Sequence, residues 1–147
     1  MRATLNTDGG ARGNPGPAGI GIVLRDENGT IVEAVGRGIG TATNNVAEYS
    51  ALIAGLELAL EHGFTSIEVL VDSELVVAQV SGEWKIKSDT LRTLAVKARS
   101  LMDRFESASI AHIRRSQNTH ADRLANIGMD EAEVRAGPAG TGESLFP

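Results

Sequence analysis

Ser66-Ile-Glu-Val-Leu-Val71 is a short, nearly continuous apolar run set between two segments with helical spacing. A run this short and rich in β-branched residues reads as a strand, and its continuity predicts cover on both faces. The rest of the sheet comes from the N-terminal third. Ala3–Thr7 and Gly19–Arg25 read as strands separated by the turn-forming stretch GGARGNPGPAG. Asn28-Gly29 is a hairpin signal leading into a third strand, Thr30–Gly36, so the three form an antiparallel meander.

Thr43-Asn44-Asn45 opens a long helix that runs to His62, where Gly63 supplies a stop. A short helix is predicted over Ser73–Val80. Thr90–Phe105 carries the cleanest helical stripe, with Leu91, Leu94, Ala95, Ala98, Leu101, Met102 and Phe105 on one side. Ser109–Ile113 is a last strand, and Asn118 is expected to cap a helix reaching about Gly128. The order β-β-β-α-β-α-α-β-α predicts an α/β fold: a mixed five-stranded sheet, part antiparallel meander and part parallel crossover, with helices packed on it. Residues 1–130 form one domain, and 131–147 read as a flexible Gly/Pro-rich tail or linker.

The chain has no cysteine, which excludes disulfides, thiolate zinc sites and a cysteine nucleophile and fits a reducing, cytoplasmic setting. The opening MRATLNTDGG has no apolar core, so no secretory signal is expected. Val46–Leu60 is apolar but interrupted by Glu48 and Glu57, which argues for a buried amphipathic helix and against a membrane span. Net charge is −5, yet Trp84–Arg104 carries +4 of its own and leaves −9 on the remainder. A local basic face of this kind predicts salt-sensitive phosphate binding, or simply a solvated helix surface.

Four acids fall where carboxylates can converge. Asp8 closes the first predicted strand before a glycine turn, Glu48 lies in the first turn of the long helix, Asp72 follows the fourth strand, and Asp122 begins the last helix. Adjacent strand ends and helix starts form one edge of an α/β sheet, where the sites of such folds lie. Carboxylates gathered there repel one another, and hard divalent cations with oxygen ligands relieve that repulsion. Each acid also has a local explanation. Asp8-Gly9 suits a turn, Asn45-x-x-Glu48 a capping box, Asp72 an N-cap, and Asp122 the positive end of its helix dipole.

TDGGARGNPGPAGIGIVL, TNNVAEYSALIAGLELAL, VLVDSELVV and NTHADRLAN occur in this order and spacing. Together they resemble ribonuclease H type 1, in its short archaeal and bacterial branch, across Met1 to about Met129. The resemblance implies a ribonuclease H-like fold and an endonuclease that cuts the RNA strand of an RNA–DNA hybrid, leaving 5′-phosphate and 3′-hydroxyl ends. It makes Asp8, Glu48, Asp72 and Asp122 the metal-binding carboxylates. Two Mg²⁺ ions would act with substrate bound, one activating water and one stabilising the leaving 3′-oxygen, and Mn²⁺ would substitute. It also implies that some full-length relatives continue into a C-terminal phosphatase-like domain.

By the same resemblance Asn14, Asn44 and Asn45 contact the hybrid in its minor groove, where the 2′-hydroxyl separates RNA from DNA. Gly9 and Gly10 would let the backbone approach the sugar, and Thr43 would hold a DNA-strand phosphate. Helix capping and turn formation are the alternative roles of the asparagines. Trp84, Lys85 and Lys87 are candidate DNA-strand contacts, with Trp84 equally suited to the core. Many relatives carry a loop histidine before the last acid, thought to assist product release. Here Arg115 stands nearest that position and is expected to replace it, while His120 is expected to be exposed and non-catalytic and His112 structural. A resolvase- or integrase-like nuclease of the same fold, and a non-catalytic hybrid-binding module, are the competing functions. GGARGNPGPAG matches neither G-x-G-x-x-G nor the Walker A pattern, so a nucleotide-binding loop is disfavoured.

Overall fold

A computed structural model describes residues 1–136. Three strands, β1 (Arg2–Ala11), β2 (Gly16–Asp26) and β3 (Ile31–Ala42), precede helix α1 (Asn44–Glu61). Then follow β4 (Ser66–Val71), α2 (Glu74–Ser81), α3 (Asp89–Met102), β5 (Ser107–His112), a 3-10 turn (Arg115–Gln117) and α4 (Thr119–Ala136). The sheet order is β3-β2-β1-β4-β5. β1 pairs antiparallel with β2 and β2 with β3, whereas β1–β4 and β4–β5 are parallel. The expected architecture and order of elements are therefore present. Among the described residues no helix is long and apolar enough to cross a membrane.

The hairpin turn forms as its composition requires. Gly29 sits at φ +81°, and the Asp26 carboxylate accepts from the Asn28 and Thr30 N–H groups at 2.9 and 3.0 Å. The first three strands are longer than predicted. The glycine-rich stretches were expected to be turn, yet Gly9, Gly10 and Ala11 pair with Ile20, Gly19 and Ala18. Glycine serves helix contact here: a Cβ on Gly9 would lie 2.2 Å from the Ala47 carbonyl oxygen of α1.

One face of the sheet carries the main core. Leu5, Ile20, Ile22, Leu24, Ile67 and Val69 pack against Tyr49, Leu52 and Leu56 of α1, with α2 and α3 beyond. The other face is covered by α4, which lies chiefly over β2 and β3. That cover leaves Glu68 and Leu70 of β4 half-buried, while Ile67, Val69 and Val71 are buried. Both faces of β4 are thus covered as expected, the second only in part.

α4 rests on a track without side chains. Cβ atoms placed on Gly19, Gly21, Gly36 and Gly38 would fall 2.0–2.8 Å from backbone atoms of this helix. Gly128, near which the helix is expected to end, is interior to α4 and admits the Arg37 carbonyl, 2.4 Å from where its Cβ would be. The helix therefore runs eight residues past its expected end, and residues 131–136 of the expected tail are its last turns. Residues 137–147, the remainder of that tail, lie outside the described residues.

Candidate active site

The parallel pairing of β1 with β4 ends at Thr7 and Val71, but β1 stays paired with β2 as far as Ala11. Asp8 is thus the first residue of β1 with no partner on the β4 side, and Asp72 directly follows the end of β4. This corrects the expectation that Asp8 closes its strand. It is one strand's early ending, not two, that opens the edge.

Glu48 reaches the same edge from α1. Thr43 is the N-cap, accepting from the Val46 N–H at 3.2 Å, so Glu48 lies beyond the first turn and the Asn45 capping box is not formed. The Gly9 N–H donates to Glu48 Oε1 at 3.3 Å, an approach that the missing Cβ of Gly9 permits. That glycine is accounted for by α1, whereas the Cβ direction of Gly10 faces Met129 and Asn44. The N-cap of α2 is Ser73, not Asp72, and its Oγ accepts from the Val76 N–H at 3.2 Å. Asp72 is left free of capping.

Asp8, Glu48 and Asp72 each place a carboxylate oxygen within 4.8 Å of the others. Asp122 joins them in lining a cavity of about 550 Å³, together with Gly10, Asn44, Asn45, Arg115 and Asn126. The pull toward neutrality is strong. The Asp8 carboxyl is pushed up to about 9, first by burial and then by the charges of Asp72 and Glu48. Burial also raises Glu48, while hydrogen bonding with Asp8, Ser73 and the Gly9 N–H opposes that rise. A proton held on Asp8 and donated toward Glu48 accounts for both directions. Asp72 Oδ2 is buried and, among the described residues, has no hydrogen-bond partner. An orphaned carboxylate oxygen is costly unless a cation answers it. An all-oxygen donor set with that vacancy in its hydrogen bonding fits a hard divalent cation.

The asparagines of the first hairpin loop meet the start of α1. Asn14 Oδ1 accepts from the Asn44 N–H at 3.0 Å, and Asn44 Oδ1 accepts from the Ala11 N–H at 2.8 Å. Both amides thus have structural duties, and among the described residues their NH₂ groups have no protein partner. Asn45 lines the cavity without either bond.

Arg115 opens the 3-10 turn and lines the cavity, whereas His120 is half-buried in the first turn of α4 outside that lining. His112 is exposed at the end of the edge strand β5, which does not support a structural role. Trp84 is 49% exposed, so it is not core. Lys85 and Lys87 are exposed in the same loop between α2 and α3, outside the carboxylate cavity. The basic segment is less free than its charge suggests. Arg99 donates to the Val80 and Gln79 carbonyls and Arg92 to Asp89 and the Ile86 carbonyl.

Asn118 does not cap α4 with its side chain as expected. It turns inward, 2% exposed, and donates to the Thr7 carbonyl at 3.0 Å. Ser73 beside Glu48 and Asn126 beside Asp122 were missed from sequence. Asn126 stands one turn from Asp122, a spacing that could have placed it.

A family model described as reverse transcriptase-like matches residues 6–128. A bifunctional protein of Mycobacterium tuberculosis is 48% identical over 137 residues, 92% of this chain and 38% of that protein. A ribonuclease HI of Halobacterium salinarum is 50% identical over 125 residues, 85% of this chain and 63% of its own. The chain thus spans well under half of the mycobacterial relative. A crystal structure of RNase H1 from the same halophile superposes with a TM-score of 0.87 at 48% identity, covering 90% of this chain and 100% of that one. LC11-RNase H1, isolated from compost and solved with an RNA/DNA hybrid, gives 0.83 at 44% identity, with 88% and 98% covered.

Proposed function

From the premise that this chain belongs to the ribonuclease H type 1 family, we propose that it hydrolyses the RNA strand of RNA–DNA hybrids at the carboxylate cavity. The activity is proposed for this segment alone, because the chain spans 38% of the mycobacterial relative. The observation that carries the reading is the convergence of Asp8, Glu48 and Asp72 around a buried, unpartnered carboxylate oxygen. Asp8, Glu48, Asp72 and Asp122 would hold Mg²⁺, two ions with hybrid bound, with Mn²⁺ as substitute. Bound by these four carboxylates, such ions would supply the charge for activating water and for stabilising the leaving 3′-oxygen.

The chain's own groups do the rest. Asp8 must release its proton before the cluster can take a cation, so metal affinity rises with pH. The NH₂ groups of Asn14 and Asn44 can donate to a ribose 2′-hydroxyl, while their oxygens keep the loop and α1 in register. Gly10 is proposed to let the backbone approach the sugar, Asn45, which lines the cavity, to contact the hybrid, and Thr43, the N-cap of α1, to hold a DNA-strand phosphate. Trp84, Lys85 and Lys87 are proposed to meet the DNA strand by stacking and charge.

The test is cleavage of a labelled hybrid with and without Mg²⁺, beside duplex and branched DNA of the same sequence. Metal-dependent cutting of RNA in the hybrid is expected; cutting of branched DNA alone would favour a resolvase-like activity, and tight binding without cutting a binding module. In the same assay Asn44→Ala and Asn14→Ala should each lose about 3–10-fold on the hybrid, the equivalent of one hydrogen bond of about 0.5–1.5 kcal/mol. An equal loss in affinity for duplex DNA would remove the 2′-hydroxyl role.

Arg115 and His120 are kinetically separable. A guanidinium stays protonated and can hold a departing phosphate without acting as acid or base. Arg115→Ala is expected to slow multiple turnover about 10-fold, as loss of a charge-assisted contact should, with single-turnover cleavage less affected. His120→Ala should be nearly silent, and the pH–rate profile should contain no inflection that disappears with it. The opposite pattern would transfer the role to His120.

A further inference from the structure

Asn6 and Asn118 are buried amides where α4 meets β1. They are 8% and 2% exposed, and Val23, which stands beside Asn6 across the β1–β2 register, is fully buried. A buried amide is costly unless its partners are complete. Here they form a directed chain. Arg25 donates to Asn6 Oδ1 at 3.3 Å, Asn6 Nδ2 donates to Asn118 Oδ1 at 3.1 Å, and Asn118 Nδ2 donates to the Thr7 carbonyl at 3.0 Å. A guanidinium can only donate and a carbonyl can only accept, so the two ends dictate the orientation of both amides.

Each amide stands one structural period from a carboxylate of the site. Asn6 and Asp8 share a face of β1. Asn118 is one helical turn from Asp122, whose N–H donates to the Asn118 carbonyl at 3.0 Å. A slip of α4 along β1 would break the amide pair and separate Asp8 from Asp122 together. The glycine track sets how closely α4 approaches the sheet, but a track without side chains resists sliding poorly.

We propose that Asn6 is a positioning residue: with Asn118 it forms a buried clasp that fixes the register of α4 on β1 and so sets the separation of Asp8 and Asp122. The inference rests on the reading of those two acids as metal ligands.

The experiment measures Mn²⁺ affinity by calorimetry, kcat and KM on a hybrid, and thermal stability, for wild type, Asn6→Ala, Asn6→Ser, Asn118→Ala and the double alanine variant. Asn6→Ala should weaken Mn²⁺ binding and lower kcat by about 10-fold each, within the range seen when a group supporting a metal ligand is lost. KM should stay within about two-fold, because no substrate contact is removed. Asn6→Ser keeps a donor for Asn118 Oδ1 and should recover most of the loss. The double variant should be no worse than Asn118→Ala, as for residues acting as one unit. Should Asn118→Ala fail to fold, the two Asn6 variants carry the test alone. Wild-type Mn²⁺ affinity and kcat in Asn6→Ala, with only its melting temperature lowered, would overturn the clasp and leave the metal assignment standing. A wild-type protein that binds no Mn²⁺ would instead remove the metal assignment, and the clasp with it.

Discussion

Asp8→Asn will lower hybrid cleavage by on the order of 10³-fold or more, while making the metal-free protein more stable, increasingly so as pH rises. The loss follows from removing an anionic oxygen at the centre of the cluster. The gain follows from linkage. The Asp8 carboxyl sits at about 9 in the folded chain against 3.8 when unperturbed, driven first by burial and then by Asp72 and Glu48. Between those values the folded state keeps a proton that the unfolded state has released, so stability falls as pH rises through the window. An amide at this position neither ionises nor repels. The melting temperature of Asp8→Asn should therefore match wild type near pH 4 and exceed it progressively toward pH 9. Added Mg²⁺ should stabilise wild type strongly and the variant weakly, since only the folded wild type presents the full donor set. Asp72→Asn should share the loss of activity, because it removes the charge on the group with the orphaned oxygen. Near wild-type cleavage by either variant, or a stability difference for Asp8→Asn that shrinks as pH rises, would contradict this account of the site.

Gly21→Ala should destabilise the protein by about 3 kcal/mol or more, at the severe end of overpacking, and disable the site from a distance. Its Cβ would lie 2.0 Å from the Ala121 carbonyl oxygen and 2.6 Å from the Ala125 nitrogen, both backbone atoms of α4. No rotamer change relieves such a contact, so the helix must lift, and Asp122 sits one residue from the collision. Gly29→Ala is the control. Gly29 has φ +81° with nothing within 4 Å of its Cβ position among the described residues, so alanine there should cost about 1–2 kcal/mol of backbone strain and leave cleavage and Mn²⁺ affinity intact. Denaturant melts with metal titrations of both variants decide the matter. A Gly21→Ala protein with full metal affinity would show that α4 can move without carrying Asp122 out of place.

The comparison of these two glycines marks how far local sequence reaches. Asn28-Gly29 was legible as a turn because the requirement for positive φ is satisfied within four residues. Gly9 carries the same letter and suggests a turn, and Gly128 suggests a helix end, yet they lie inside β1 and α4; for Gly19 and Gly21, expected in a strand, nothing local explains why glycine stands there. Their requirement comes from a backbone distant in sequence. The same division runs through the site. The motif residues Asp8, Glu48, Asp72 and Asp122 could be named from spacing and resemblance, and they line one cavity. Whether Asp72 or Ser73 caps α2, and whether Trp84 is buried, could not be decided, because local sequence offers equally good solutions for each.

Sequence by itself determined the order of the elements, the mixed sheet, and the four acids that prove to line one cavity, since periodicity and turn chemistry act over a few residues and the motifs carry the rest. Tertiary structure alone decided that β1 outlasts β4 and so exposes Asp8 at an open edge. It also decided that Asn118 abandons its expected cap to meet Asn6, and that α4 continues past Gly128 to Ala136. The physical reason is common to all three. Each is settled by a contact between segments far apart in the chain, whose close approach, desolvation and hydrogen-bond completion have no signature in either segment alone.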